Sequence, residues 1–131
     1  MTNSQPKRRR RILVVDTDAQ LRSILGGALA DEGYEVSHAS DGMEALVMHR
    51  RNPFDVVVIE MVLPKKDGFE TLVDLTAHSS PPKLIAMSGQ SRFSPALYLK
   101  MASHLGAHHL LAKPFPPGQL VAAVWLVLGE V

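Results

Sequence analysis

The chain has 131 residues, 46% hydrophobic and 21% charged, and its 14 basic against 13 acidic residues give a formal net charge of +1. That is the size and balance of one globular domain with a single core. There is no cysteine, which excludes disulfides and thiolate metal sites and fits a reducing cytoplasm. The longest late apolar stretch, 120–128, is too short to cross a bilayer, and no secretory leader is legible.

The small net charge hides an asymmetry. Lys7, Arg8, Arg9, Arg10 and Arg11 hold five of the 14 basic residues, so nine bases face 13 acids in the remainder. Residues 1–10 are expected to form a disordered basic leader, and 11–131 a single domain. The leader is read as solvated, because neither an aromatic residue nor a second basic patch joins it in the sequence.

Ile12 to Val15 is an apolar run that predicts a strand buried on both faces, ended by Asp16-Thr17-Asp18. Leu21, Ile24, Leu25, Ala28 and Leu29 recur at helical spacing, which predicts a helix over Ala19–Asp31. Residues 34–39 alternate and are less apolar, as in a strand near an edge. Asp41-Gly42 opens a second helix to about Arg51, with Met43, Leu46 and Val47 expected inward, and Asn52-Pro53 ends it. Val56, Val57, Val58 and Ile59 form the most strongly β-branched run and lead to Glu60. Pro64 and Asp67-Gly68 mark the following loop, and Phe69, Leu72 and Val73 begin a third helix.

A fourth strand is expected over 84–87, ending at Ser88-Gly89. A loop at 90–93, a helix over 94–105, a fifth strand over 108–112 and a last helix over Pro117–Leu128 complete the chain. Five strands alternating with five helices make a parallel α/β sandwich with helices on both faces. The six histidines show no ligand spacing and are read as surface or half-buried residues.

In such a sheet, chemistry gathers outside the carboxyl ends of the strands. Asp16, Glu60, Ser88 and Lys113 fall at the ends of strands one, three, four and five. Two carboxylates, a hydroxyl and an ammonium are thus expected in one small pocket.

With Ile-Leu-Val-Val-Asp, Asp41-Gly42, Leu63-Pro64, Asp67-Gly68, Ser88-Gly89, Gly106-Ala107 and Lys113-Pro114-Phe115 in this order, the chain resembles the receiver domain of two-component response regulators. The resemblance runs from about Arg11 to Leu128. It implies a flavodoxin-like (βα)5 fold, a three-layer sandwich whose five-stranded parallel sheet has the order 2-1-3-4-5. It also implies a signalling role without enzymatic activity. In that family an aspartate at the Glu60 position accepts a phosphoryl group from a histidine kinase. Two acids after the first strand hold Mg²⁺, the backbone of the Val62 position adds a ligand, and Ser88 and Lys113 correspond to groups that bind the phosphoryl oxygens. The Lys113-Pro114 peptide is typically cis.

The sequence departs from this pattern in three places. Glu60 replaces the acceptor aspartate, and its extra methylene moves the carboxylate out by about 1.5 Å. Thr17 stands where the second metal acid is found, which leaves Asp16, with Asp18 and Val62, for at most a weak Mg²⁺ site; Asp18 is expected to cap the first helix. Leu110 replaces the usual switching aromatic. These departures imply an atypical receiver in which Glu60 takes Lys113 as ion partner and Ser88 as hydrogen-bond donor. Such a domain would work alone, in a fixed or partner-controlled state, through a protein partner: a sensor kinase, an output protein or a second copy.

The last helix is apolar nearly all round. With Tyr98, Met101 and Leu105 of the preceding helix, its residues Val121, Trp125 and Leu128 are expected to form a homodimer interface built on the fourth helix, fifth strand and fifth helix. No membrane contact is expected, and nucleic acid is not an expected partner. One alternative is a haloacid-dehalogenase-like phosphatase using Asp16 and Asp18, which lacks the further acidic pair after Lys113. Another is a nucleic-acid adaptor resting on the tail at residues 7–11.

Overall fold

The computed structural model describes residues 8–89 and 94–129. Five parallel strands form one sheet: β1 (Arg11–Val15), β2 (Glu35–Ala39), β3 (Val56–Glu60), β4 (Lys83–Ser88) and β5 (His109–Ala112). Their order is β2-β1-β3-β4-β5, so the strand read as nearest an edge is an edge strand. Between them run α1 (Ala19–Asp31), α2 (Gly42–Arg51), α3 (Gly68–Thr76) and α4 (Pro95–His104), and α5 (Pro117–Leu128) closes the chain. The loop expected over 90–93, and the first seven residues of the expected leader, lie outside the described residues. At 8–10 the arginines are engaged: Arg8 donates to Asp55 and Arg9 to the Gly33 and Tyr34 carbonyls.

Strand alternation sends successive side chains to opposite faces, which builds two cores. Leu13, Val15, Val57, Ile59, Leu84 and Ala86 pack toward α2, α3 and α4. Ile12, Val14, Val56, Val58, Ile85 and Met87 pack toward α1 and α5. All five residues of β3 are buried, as its unbroken apolar run requires for a central strand.

The inward face of α2 differs from the expected one. Met43 is 51% exposed and Val47 39% exposed, whereas Ala45, Leu46 and His49 are buried. The buried set 42, 45, 46, 49 is one helical stripe, and placing Leu46 and His49 inward turns Met43 and Val47 out. His49 is therefore a core residue rather than a surface one. Its Nε2–H donates to the Ser80 carbonyl at 2.8 Å, and its Nδ1 accepts the Phe54 N–H at 3.1 Å. This pairing requires the neutral ring. Burial, with His78 and Arg11 nearby, lowers the His49 pKa below 6.5 despite the bond to Ser80.

Helix ends follow local side-chain chemistry. Asp18, Asp41, Asp67 and Ser94 each cap a helix by accepting N–H groups of its first turn. Among the described residues no helix is long and apolar enough to cross a membrane.

Candidate functional site

The residues expected at the strand ends meet at the carboxyl edge of the sheet. Asp16 follows β1 directly, Glu60 and Ser88 close β3 and β4, and Lys113 follows β5. Asp16, Glu60 and Lys113 border a cleft of about 510 Å³ whose lining also includes Thr17, Asp18, Val62 and Gly89, while Ser88 is wholly buried beneath it.

Lys113 is the centre of the arrangement. Its Nζ donates to Asp16 Oδ2 at 2.6 Å and lies 2.7 Å from Glu60 Oε1. The two carboxylate side chains are only 3% and 6% exposed, and the lysine side chain 21%. Burial works against the ammonium, yet the hydrogen bonds and charges of Asp16 and Glu60 hold the Lys113 pKa above the ordinary 10.5. The remaining carboxylate oxygens are also taken. Asp16 Oδ1 accepts the Asp18 N–H at 3.0 Å, and Glu60 Oε2 accepts the Val62 N–H at 3.1 Å.

Two glycines make this geometry possible. A Cβ on Gly89 would lie 2.7 Å from Lys113 Cβ, so a side chain there would push the lysine out of its path. A Cβ on Gly68 would lie 2.5 Å from the Glu60 carbonyl oxygen, so glycine lets α3 begin against the end of β3. The Lys113–Pro114 peptide is cis.

One expected contact is not formed. Ser88 Oγ is buried and has no hydrogen-bond partner among the described residues. Glu60 folds back onto its own loop at Val62 instead of reaching across to β4. Asp18 Oδ1 accepts the N–H groups of Gln20 and Leu21, so Asp18 is the cap of α1. Leu110 is half-buried and packs in the core on the α4 side.

The donor set does not fit the Mg²⁺ that the resemblance implies. Magnesium needs oxygen ligands free to complete an octahedron. Here a lysine ammonium stands between the only two carboxylates that face each other at the strand ends among the described residues, and Thr17 adds no charge. Among the described residues no group of three or more acidic, histidine or cysteine side chains could hold a metal ion. Arg22 is a member of the site that sequence reasoning missed. Its guanidinium donates to the Asp16 carbonyl, and its place one turn into α1 was the available signal.

The expected interface residues divide. Val121 is buried in the core, and Leu128 packs against the same cluster, because they lie on the stripe of α5 that faces the sheet. Met101 (45% exposed), Leu105 (37%) and Trp125 (39%) face outward, joined by Leu126 (63%). Tyr98 is half-buried and stacks on Phe69 with ring centroids 5.5 Å apart.

Comparison with known proteins agrees with this geometry. A family model described as the response regulator receiver domain matches residues 12–125. The "Probable transcriptional regulator ycf27" of Porphyridium aerugineum is 36% identical over 121 residues, covering 92% of this chain and 49% of that protein. The transcriptional regulatory protein CpxR of Klebsiella pneumoniae is 34% identical over 118 residues, covering 90% of this chain and 49% of that protein. The chain thus spans about half the length of these curated relatives. The solved structure of the chemotaxis response regulator CheY4 of Vibrio cholerae superposes with a TM-score of 0.81 at 29% identity, covering 92% of this chain and 99% of that one. By sequence, sheet order and the residues at its strand ends, this chain belongs to the response regulator receiver domain family.

Proposed function

We propose that this receiver serves a two-component or phosphorelay pathway without conventional phosphorylation, and that it acts by binding protein partners in a state set by Glu60. One observation carries the proposal: Glu60 Oε1 stands 2.7 Å from Lys113 Nζ. In related receivers the corresponding lysine receives an oxygen of the phosphoryl group, which comes and goes. Glu60 supplies an oxygen to that lysine permanently. Its second oxygen accepts the Val62 N–H, so both oxygens are held by this chain's own donors. An acceptor displaced by about 1 Å already loses about a hundredfold in rate through misplacement alone.

The substitution biases the domain without locking it. A hydrogen bond to a charged group contributes about 1.5–3 kcal/mol, whereas moving an equilibrium from 1:99 to 99:1 takes about 5.5 kcal/mol. A carboxylate also brings one negative charge where a phosphoryl group brings nearly two. Partner binding supplies the remainder. The partner is a sensor kinase, an output protein or a second copy, and the exposed apolar residues Met101 of α4, Leu105 just after it, and Trp125 and Leu126 of α5 are the surface we assign to it.

Incubation with acetyl phosphate and Mg²⁺, followed by intact-mass and peptide mass spectrometry, tests the proposal. The wild-type chain is expected to show no phosphoryl adduct. An adduct on Glu60 would overturn it.

A further inference from the structure

We infer that the opposite, amino-terminal edge of the sheet is a binding surface for the phosphodiester backbone of duplex nucleic acid, in which the basic run near the amino terminus is one part of a larger patch. A parallel sheet brings the starts of all its strands to one edge, and here that edge collects cations from three separate stretches. Arg8 donates to Asp55 Oδ1 at 2.9 Å, and the Arg10 guanidinium lies 3.8 Å from the same atom. Arg11 Nη1 donates to the carbonyls of Asn52 and Pro53, both at 2.7 Å. Those carbonyls directly follow Arg50 and Arg51, which are exposed at the end of α2. Lys83, exposed at the start of β4, donates its backbone N–H to the Asp55 carbonyl at 2.9 Å.

Six cationic side chains therefore surround the α2–β3 loop, faced by the carboxylates of Asp55 and Glu35; with Arg9, and with Asp31 and Glu32 at the end of α1, the edge carries a net charge of +3. Arg50 and Arg51 also complement the dipole of α2, but that role does not extend to Arg8, Arg10 or Lys83. Among the described residues Arg50, Arg51 and Lys83 have no side-chain ion pair.

The chemistry of the patch selects its occupant. Arg11 is taken up by the loop itself, and four of the other five cations, all exposed, are arginines, whose planar fork matches phosphate oxygens in pairs. No large hydrophobic residue of the loop or of the flanking strand starts is exposed. The patch thus lacks both the apolar centre of a protein–protein interface and the apolar face that a membrane-surface element inserts. Phe54, the aromatic residue of the loop, is 4% exposed and covered by Arg11, 4.3 Å above its ring, so it offers no base-stacking platform. Positive, polar and without stacking groups, the surface fits phosphate contact without base reading. The acidic cleft edge, with Asp16, Asp18, Asp41 and Glu60, faces the other way and would be held away from a polyanion.

The test is fluorescence anisotropy of the full chain with a labelled random-sequence duplex of about 20 base pairs, at about 50 and about 200 mM salt. Contact with about four phosphates predicts roughly hundredfold weaker binding at the higher salt. R50A/R51A is expected to cut that salt effect to about tenfold, since two contacts are lost. R50E/R51E is expected to bind more weakly still, and K100E, on exposed α4, to bind as wild type. Circular dichroism checks that each variant is folded. No binding at the lower salt, or wild-type salt dependence in R50A/R51A, would overturn the inference. So would preference for phosphatidylserine vesicles or for polyglutamate over the duplex.

Discussion

At the carboxyl edge of the sheet Lys113 lies between Asp16 and Glu60, and Ser88 Oγ is buried without a partner among the described residues. At the amino edge His49 is wholly buried, and both ring nitrogens are bonded to the backbone of the loops it joins. Both are polar groups taken out of water, but they are resolved differently. The histidine is neutral and every bond it can make is made, so it acts as a structural tie. The lysine cluster is charged, borders an open cleft and keeps one hydroxyl unused. The charged cluster at the cleft has the character of a site, and the satisfied histidine away from it that of a scaffold.

The sharpest way to break this contrast is Lys113→Met. It leaves two nearly buried carboxylates without their shared cation, and the expected loss is about 3–5 kcal/mol in urea unfolding at neutral pH. A variant no less stable than wild type would show that Lys113 does not hold the cluster together.

His49→Leu comes next, with an expected loss of about 2–4 kcal/mol, because it strands the Phe54 N–H and the Ser80 carbonyl. It also has a pH signature. The folded-state pKa of His49 is lowered from 6.5, so the unfolded chain binds the proton first. The stability from neutral His49 is full above about 6.5 and is lost as pH falls through the folded value. Burial, with Lys83 nearby, also lowers His108, which contributes with the same sign. Stability measured from pH 7.5 to 5 should therefore fall less steeply in His49→Leu than in wild type, without becoming flat.

Two smaller changes distinguish the two settings by sign. Asp18→Ala removes the cap of α1 and is expected to cost about 1 kcal/mol. Ser88→Ala removes an unsatisfied buried hydroxyl and is expected to raise stability, by up to about 1 kcal/mol. A loss on Ser88→Ala would mean that the hydroxyl has a partner after all.

The strands, their order at the edge and the residues closing them could be read from sequence because each rests on a short-range signal. Four β-branched residues before Glu60 give a central strand, and Asp18 ahead of an apolar-periodic stretch gives a cap. The features that were not read depend on direction in space. Ser88 was assigned to Glu60 because the longer carboxylate would reach where the resemblance places the phosphoryl oxygens, but whether two strand-end side chains meet depends on rotamers that the sequence does not encode. The helical stripe through Ala45 and Leu46 does reach His49, so its burial was legible once the period was followed past the aliphatic residues. Arg50 and Arg51 join Arg8 and Arg10 only through the rule that parallel strands all begin on one edge, a topological inference rather than a local one.

The most direct measurement concerns the proposed permanent hold of Glu60 on Lys113. Titration of the Lys113 ammonium by NMR, in wild type and in Glu60→Gln, reads that contact atom by atom. Wild-type Lys113 is expected to titrate above 10.5, the ordinary lysine value, and to move down when Glu60 loses its charge. An unchanged Lys113 titration in Glu60→Gln would contradict the proposal, because the carboxylate would then not be holding the ammonium in solution.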